Sequence, residues 1–170
     1  MIQKFHFKNG SYLLLSAVLV GVDQLLKWLV TLSMQPFESN VLLPGILRIT
    51  YVQNTGAAFS LLEGSTVLLA VLTGVALIAA IFLVVSGRIE KTSYLIPVSM
   101  LIGGGIGNLL DRIVRGYVID YIDVSFWPFD SFAIFNFADC LVVIGTILLL
   151  VFLLKDELCR WRKDRQIDDN

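Results

Sequence analysis

Four apolar runs, each close to twenty residues long, dominate this sequence of 170 residues. They lie at about residues 11–31, 65–85, 94–110 and 132–154. The hydrocarbon core of a bilayer is about 30 Å thick and takes about 20 apolar residues in a helix, so each run is long enough to cross it. Only 16% of the chain is charged, against about 25% in soluble domains. We therefore expect residues 1–170 to form one all-α membrane domain with four transmembrane helices.

The distribution of Lys and Arg predicts which helix ends are cytoplasmic. Nine of the thirteen basic residues lie before the first run, between the second and third, or after the fourth: positions 4, 8, 88, 91, 155, 160, 162, 163 and 165. With four crossings these three regions share one side of the membrane, and the excess of positive charge marks that side as cytoplasmic. We expect both termini in the cytoplasm and the links at about 32–64 and 111–131 on the outer side.

The first outer link contains a pattern typical of a β-strand. Residues 46–53 read ILRITYVQ and are rich in β-branched and aromatic side chains. Turn signals stand on both sides, Pro44-Gly45 before this segment and Asn54-Thr55-Gly56 after it. We expect a small extracytoplasmic β element over about residues 41–60, where a strand edge offers backbone hydrogen bonds to an extended peptide.

Asp139 lies in the fourth apolar run, which otherwise carries no charge. A carboxylate at membrane depth costs about 2.5–3.5 kcal/mol on insertion scales, so it usually faces a polar cavity and a partner. We expect it seven residues into the fourth helix, about 10 Å below the outer surface. Four more aspartates lie toward the same side and are expected to line one outward cavity with it: Asp23, Asp111, Asp120 and Asp123. Two close carboxylates share a proton, so that one can activate water while the other polarises a carbonyl.

Amide and guanidinium side chains occur at helical spacing near these aspartates. Asn108 and Arg112 are four residues apart and share one helical face, with Asp111 close by. Asn136 and Asp139 are three residues apart and also share a face. An asparagine amide can donate a hydrogen bond to a carboxylate or to a substrate carbonyl. These residues therefore extend the candidate site beyond the carboxylates.

The chain is poor in the groups that other chemistries need. Its single histidine, His6, lies near the N-terminus, so we expect no zinc site, no other metal site and no cofactor. Cys140 and Cys159 would be about 28 Å apart on one helix, too far for an intramolecular disulfide. The net charge of −1 gives no indication of nucleic-acid binding.

Two other functions remain open from the residues alone. An ion-coupled transporter or channel could use Asp23 and Asp139 as relay groups, although the cytoplasmic half of the chain offers almost no polar continuation. A serine peptidase would use Lys27, which follows Asp23 by one helical turn, as a base. Its nucleophile would be one of three serines without a marked motif: Ser33, Ser60 or Ser125.

Five motifs in order resemble bacterial lipoprotein signal peptidases, also called signal peptidase II. They are DQLLK (23–27), NTGAAFS (54–60), GGGIGNLLDR (103–112), VIDYI (118–122) and FNFADC (135–140). The resemblance implies an aspartic endopeptidase of the bacterial inner membrane. Its substrates would be diacylglyceryl-modified prolipoproteins, cut just before the lipidated cysteine, and the cyclic peptide globomycin would inhibit it.

The resemblance also implies roles for particular residues. Asp120 of VIDYI and Asp139 of FNFADC would be the catalytic pair, a choice that spacing alone does not make over Asp111 or Asp123. The supporting polar positions would be Asp23, Asn54, Asn108, Arg112 and Asn136, with Asp111 close by. Tyr121, where phenylalanine is commoner, and Cys140, where a small residue such as serine is common, depart mildly from the family pattern.

Overall fold

The computed structural model describes residues 7–56, 65–126 and 133–168. In chain order the elements are α1 (Phe7–Ser33), β1 (Ser39–Leu43), β2 (Leu47–Asn54), α2 (Thr66–Val85), α3 (Thr92–Arg115), β3 (Val118–Val124) and α4 (Phe137–Asp168). Within these described ranges, four segments are long and apolar enough to cross a membrane: Gly10–Ser33, Thr66–Val85, Thr92–Arg115 and Phe137–Arg165. The predicted fold class, four membrane-spanning helices with a small β element, is confirmed.

Two helix boundaries differ from those predicted. The sequence predicts an end of the third helix near residue 110, but α3 continues to Arg115. It also predicts a fourth helix from residue 132, which lies outside the described residues, whereas α4 begins at Phe137. Before that point Phe135 pairs with Ile122 of β3 through hydrogen bonds of 3.1 and 2.7 Å, which form an isolated antiparallel bridge beside the sheet. Asp139 consequently lies in the first turn of α4, not seven residues into it.

The three strands form one antiparallel sheet in the order β1-β2-β3. It lies at the end of the bundle where α1 and α3 finish and α2 and α4 start. The predicted strand at residues 46–53 corresponds to β2, and residues 57–60 of the predicted β segment lie outside the described residues. We expected a loop where β3 occurs, and this strand places Asp120 opposite Val52 in the sheet.

The central helix, α3, contacts each of the other three helices. At Gly104 a Cβ atom would collide with the carbonyl oxygen of Ala138 on α4. At Gly107 a Cβ atom would collide with the carboxylate of Asp23 on α1. Small residues allow such close approach between membrane helices. These two glycines therefore set the spacing that brings α1, α3 and α4 together.

Most of α2 belongs to the outer surface of the bundle. Leu77 and Val84 of this helix are buried, while Val67, Val71 and Ile78 are exposed. So large an apolar surface is unusual on a soluble monomer and is the surface that lipid covers. The polar side chains that matter for function therefore lie among α1, α3, α4 and the sheet.

Candidate active site

A cavity of about 500 Å³ lies where β3, the end of α3 and the start of α4 meet. Two carboxylates line it, Asp120 from β3 and Asp139 from α4. Three further polar side chains complete this part of the wall: Asn54, Asn108 and Arg112. The structure thus brings together two of the five aspartates that we expected in one cavity.

The alternation of side chains along β3 directs Asp120 into the cavity. Successive side chains of a strand point to opposite faces. Ile119 and Tyr121 are buried in a cluster with Val30 and Met34 at the end of α1. Asp120, between them, therefore faces the other way. The apolar neighbours in the VIDYI motif hold the strand in this rotation.

Asp139 is held by a capping box at the start of α4. The Oδ1 atom of Asn136 accepts the N–H of Asp139 at 2.9 Å, and Oδ2 of Asp139 accepts the N–H of Asn136 at 3.0 Å. This reciprocal pairing satisfies two N–H groups at a helix N-terminus, and the positive end of the helix dipole stabilises a negative charge there. The spacing of Asn136 and Asp139 is therefore also a signal for the start of a helix. In the sequence we interpret it only as a shared helical face.

Two asparagine amides hold Asp120, and a backbone N–H fixes the orientation of each. Oδ1 of Asn54 accepts the N–H of Gly56 at 2.9 Å, so its Nδ2 donates to Oδ2 of Asp120 at 2.8 Å. Oδ1 of Asn136 is occupied by the N–H of Asp139, so its Nδ2 donates to Oδ1 of Asp120 at 2.7 Å. Asn136 therefore binds both carboxylates, one through its backbone and one through its side chain.

A third amide, Asn108, holds Asp139 from α3. Its Nδ2 donates to Oδ1 of Asp139 at 2.8 Å. Its Oδ1 accepts from the Lys27 ammonium at 2.8 Å and from Nδ2 of Asn136 at 3.1 Å. Among the residues that the structure describes, each carboxylate oxygen of the pair thus accepts one N–H.

The carboxyl of Asp120 binds its proton more tightly than an exposed aspartate does. Burial, together with the negative charge of Asp139, raises the pKa of Asp120 to about 7. The hydrogen bonds from Asn54 and Asn136 act in the opposite direction and do not cancel this effect. Below that pH the pair can hold one proton on Asp120, as acid–base chemistry by two carboxyl groups requires.

Arg112 brings a positive charge to the cavity wall beside the carboxylates. Its guanidinium donates to the carbonyl oxygens of Asn108 at 3.5 Å and of Gly56 at 3.2 Å, which links α3 to the end of β2. Its buried Nε has no hydrogen-bond partner among the residues that the structure describes. As expected from their spacing, Asn108 and Arg112 face the same cavity.

The expectation that Asp23 and Asp111 line the cavity is wrong. Both are fully buried behind it, and their carboxylates pair with Lys27 at 2.9 and 2.8 Å. Asp111 also pairs with Arg115. Asp111 is offset by about 100° around α3 from Arg112, so it faces α1 when Arg112 faces the cavity. These residues form a buried ion cluster, which we define as Asp23, Lys27, Asp111 and Arg115.

Asp123 also lies away from the cavity, contrary to expectation. It pairs with Arg48 at 3.0 Å and accepts a hydrogen bond from the Thr50 hydroxyl at 2.7 Å, both on β2. Arg48 and Asp123 are directly opposite each other in the sheet. Because strand faces alternate, Asp123 points to the opposite face from Asp120. Spacing left open which aspartate joins Asp139, and of these candidates only Asp120 shares its cavity.

An apolar wall continues from the two carboxylates along α4. Cys140, Val142, Val143 and Ile144 line the cavity beyond Asp139. Val143 is 56% and Ile144 is 47% exposed, so this wall is continuous with the outer surface of the bundle. The sequence gives no signal for Val142, Val143 and Ile144, because nothing in an uninterrupted apolar run distinguishes a cavity wall from a lipid contact.

The contacts of Lys27 do not support the serine mechanism. A lysine has three N–H donors, and those of Lys27 go to two aspartates and one asparagine. The Ser33 hydroxyl donates to carbonyl groups of its own helix. Ser60 lies outside the described residues.

Comparison with known proteins decides among the functions that the residues left open. The sequence pattern of the family described as Signal peptidase (SPase) II matches residues 15–155. A lipoprotein signal peptidase of Enterococcus faecalis is 38% identical over 146 residues, which are 86% of this chain and 89% of that protein. One of Staphylococcus aureus is 33% identical over 158 residues, which are 93% and 95% of the two chains. The chain belongs to the signal peptidase II family.

A solved structure agrees with this assignment. It is described as a bacterial membrane enzyme determined by the in meso method, and its TM-score against this chain is 0.81 at 32% identity. The match covers 92% of this chain and 94% of the other. As a member of the signal peptidase II family, the protein is a multi-pass membrane hydrolase, an aspartic peptidase that removes signal peptides from lipoproteins. The transporter interpretation has no such support.

Proposed function

We propose that the protein cleaves diacylglyceryl-modified prolipoproteins just before the lipidated cysteine, with Asp120 and Asp139 as the catalytic pair. One observation carries the proposal. Two carboxylates, each held by oriented N–H donors, share a cavity whose apolar wall is continuous with the lipid-facing surface. Such a cavity suits a scissile bond that joins a hydrophobic signal helix to a lipid-anchored residue.

The proposed reaction begins with a proton on Asp120 and a charge on Asp139. Asp139 takes a proton from a water molecule as the water oxygen attacks the scissile carbonyl carbon, while Asp120 gives its proton to the carbonyl oxygen. The resulting gem-diol collapses and its C–N bond breaks. Asp139 then protonates the leaving nitrogen, and Asp120 recovers a proton from the gem-diol. The products are a signal peptide with a new carboxyl group and a lipoprotein with a free amino group on its lipidated cysteine.

The other predicted site residues support this pair in different ways. Asn54, Asn108 and Asn136 hold the carboxylates through hydrogen bonds, and Arg112 provides a positive charge beside them. Asp23 and Asp111 act from behind the cavity as members of the ion cluster. No metal ion or cofactor takes part in the proposed steps, and no nucleic acid is a partner.

The substrate would enter sideways from the outer leaflet of a bacterial inner membrane. Its signal helix would lie along the apolar wall of α4, and its acyl chains would remain in lipid. With both termini cytoplasmic, the sheet and the cavity would face the compartment into which lipoproteins are exported. Globomycin is expected to compete for the same cavity, as the family resemblance implies.

The test uses purified protein in detergent with a diacylglyceryl-modified precursor, the same precursor without the lipid, and mass analysis of the new N-terminus. Asp120→Asn and Asp139→Asn should each lower the cleavage rate at least about 10²-fold, because each removes an acid or a base from the reaction. Asp123→Asn is the matched control, the same chemical change outside the cavity, and should cleave normally. Near-normal turnover by either cavity variant would show that the assigned pair is wrong.

A further inference from the structure

We propose that Lys27 is a positioning residue for the catalytic pair, and that its buried ammonium fixes the amide of Asn108 so that Nδ2 donates to Asp139. The proposal depends on the role of Asp139 proposed above. Lys27 is absent from the residues that line the cavity and is fully buried behind it. It would therefore act through Asn108 and not on the substrate.

All three N–H donors of Lys27 are used. Two go to the carboxylates of Asp23 and Asp111, at 2.9 and 2.8 Å. The third goes to Oδ1 of Asn108 at 2.8 Å. An ammonium can only donate, so the amide oxygen of Asn108 must face Lys27. The NH₂ group at the other end of the amide is thereby turned toward Asp139.

The three amides around the catalytic pair differ in what fixes their orientation. Asn54 and Asn136 are fixed by backbone N–H groups, which no side-chain replacement removes. Asn108 is fixed by two side chains, Lys27 and Asn136, and the charged donor makes the stronger hydrogen bond. Without Lys27, the amide can rotate and place its oxygen against the Asp139 carboxylate. Asp139 would then lose the hydrogen bond from Nδ2 of Asn108 and would be repelled by the amide oxygen.

The ion cluster also binds the residue next to each catalytic aspartate. Oδ1 of Asp23 accepts the N–H of Ala138 at 3.1 Å, and Oδ2 of Asp111 accepts the N–H of Ile119 at 3.3 Å. Buried ion pairs often stabilise a fold no better than apolar residues of similar volume. Because the cluster accepts the backbone N–H groups next to Asp120 and Asp139, it fixes the positions of these two residues. Apolar side chains could not accept these hydrogen bonds.

The experiment compares two variants that differ only at Lys27. Lys27→Met alone would leave two buried carboxylates with one cation, so Asp111→Asn serves as the reference background. Asp111→Asn keeps the hydrogen bond from Lys27 to Asn108, and the double variant Lys27→Met/Asp111→Asn removes it while the cluster keeps one carboxylate and one cation. For both we would measure the unfolding temperature, kcat and KM with the lipidated precursor.

Relative to Asp111→Asn, the double variant should lose about 10- to 100-fold in kcat, the value of one hydrogen bond to a charged group. KM should not change, since Lys27 does not touch the substrate. Lys27→Gln in the same background keeps a weaker, neutral donor to Asn108 and should give an intermediate kcat.

Introduction of the Lys27 change into an Asn108→Ala/Asp111→Asn background should cost nothing further, because the two residues act in series. Equal kcat values in the double variant and Asp111→Asn, both folded, would overturn the proposal. If the Met variant does not fold, equal kcat values for the Lys27→Gln variant and the Asp111→Asn reference have the same meaning. Activity in Asp139→Asn would instead refute the catalytic pair, whatever Lys27 does.

Discussion

At the scale of single residues, the two carboxylates of the cavity have similar donors but different surroundings. Each oxygen accepts one N–H, yet Asp120 lies on a strand and Asp139 lies at the positive end of a helix. Environments that separate two carboxyl groups in this way assign one as acid and the other as base. The asymmetry is built by the elements that carry the side chains, since the side chains are chemically identical.

The raised pKa of Asp120 predicts how activity depends on pH. Because the proposed acid carries its proton only below a pKa of about 7, kcat/KM should fall as the pH rises through that value. The measurement is a pH profile of precursor cleavage in detergent, with Asp123→Asn as the control that should follow the wild type. A profile that stays flat to pH 9 would contradict the role of Asp120 as the acid.

The same proton links pH to stability. The folded protein holds the proton of Asp120 up to about pH 7, whereas an unfolded chain releases it near 3.8. Its contribution to the free energy of unfolding is fully present below the lower value and is lost as pH rises through the higher one. Asp120→Asn should remove this part of the pH dependence of the unfolding temperature, whatever its effect at a single pH.

At the scale of elements, the long helices could be predicted from the sequence and the short pieces that carry the site could not. The apolar runs predicted all four helices. The β-branched and aromatic pattern of residues 46–53 predicted β2. The start of α4 was missed because apolar residues continue across it and periodicity does not mark where the backbone changes conformation. β3 was missed because Asp120 and Asp123 interrupt its β-branched and aromatic residues. The capping pair of Asn136 and Asp139 was the available signal for the second boundary.

The close contact of α3 and α4 predicts the effect of one added methyl group. Gly104→Ala places a Cβ atom against the backbone carbonyl of Ala138, which cannot move without displacing α4. We expect the overpacking to lower the free energy of unfolding by about 1–3 kcal/mol. The unfolding temperature and the cleavage rate should both fall as a result. Gly74→Ala is the matched control, since no atom lies within 4 Å of its new Cβ. Equal unfolding temperatures for the two variants would contradict this packing.

At the scale of the whole molecule, the sheet, the cavity and the ion cluster occupy the same end of the bundle. The resemblance to the family correctly indicated that Asn54, Asn108, Arg112 and Asn136 lie near the two aspartates. It could not reveal the ion cluster, because that cluster requires the relative rotation of α1 and α3. A spacing of four residues shows that two side chains share a face, but only packing shows what the face meets.

The proposed orientation predicts which exposed residues a membrane-impermeant thiol reagent can reach. Glu38 and Glu90 are exposed at opposite ends of the bundle, and in the proposed orientation the end of Glu90, where Lys and Arg are in excess, is the cytoplasmic one. In a Cys140→Ser/Cys159→Ser background, Glu38→Cys should be labelled in intact cells, or in spheroplasts where an outer membrane is present. Glu90→Cys should be labelled only after permeabilisation. The reverse pattern would put the cavity on the cytoplasmic side and contradict the proposed access of the substrate.

The first turn of α4 and the candidate site depend on the same hydrogen bonds, those of the capping box. The N–H groups of Asp139 and Cys140 both bond to Asn136, the residue that also binds Asp120. Local opening of a helix end takes less free energy than unfolding of a whole domain. Unwinding of this single turn would therefore separate Asn136 from both carboxylates and dismantle the site. A substrate that engages both carboxylates would in turn stabilise the first turn of α4, so that binding and the order of the helix end are coupled.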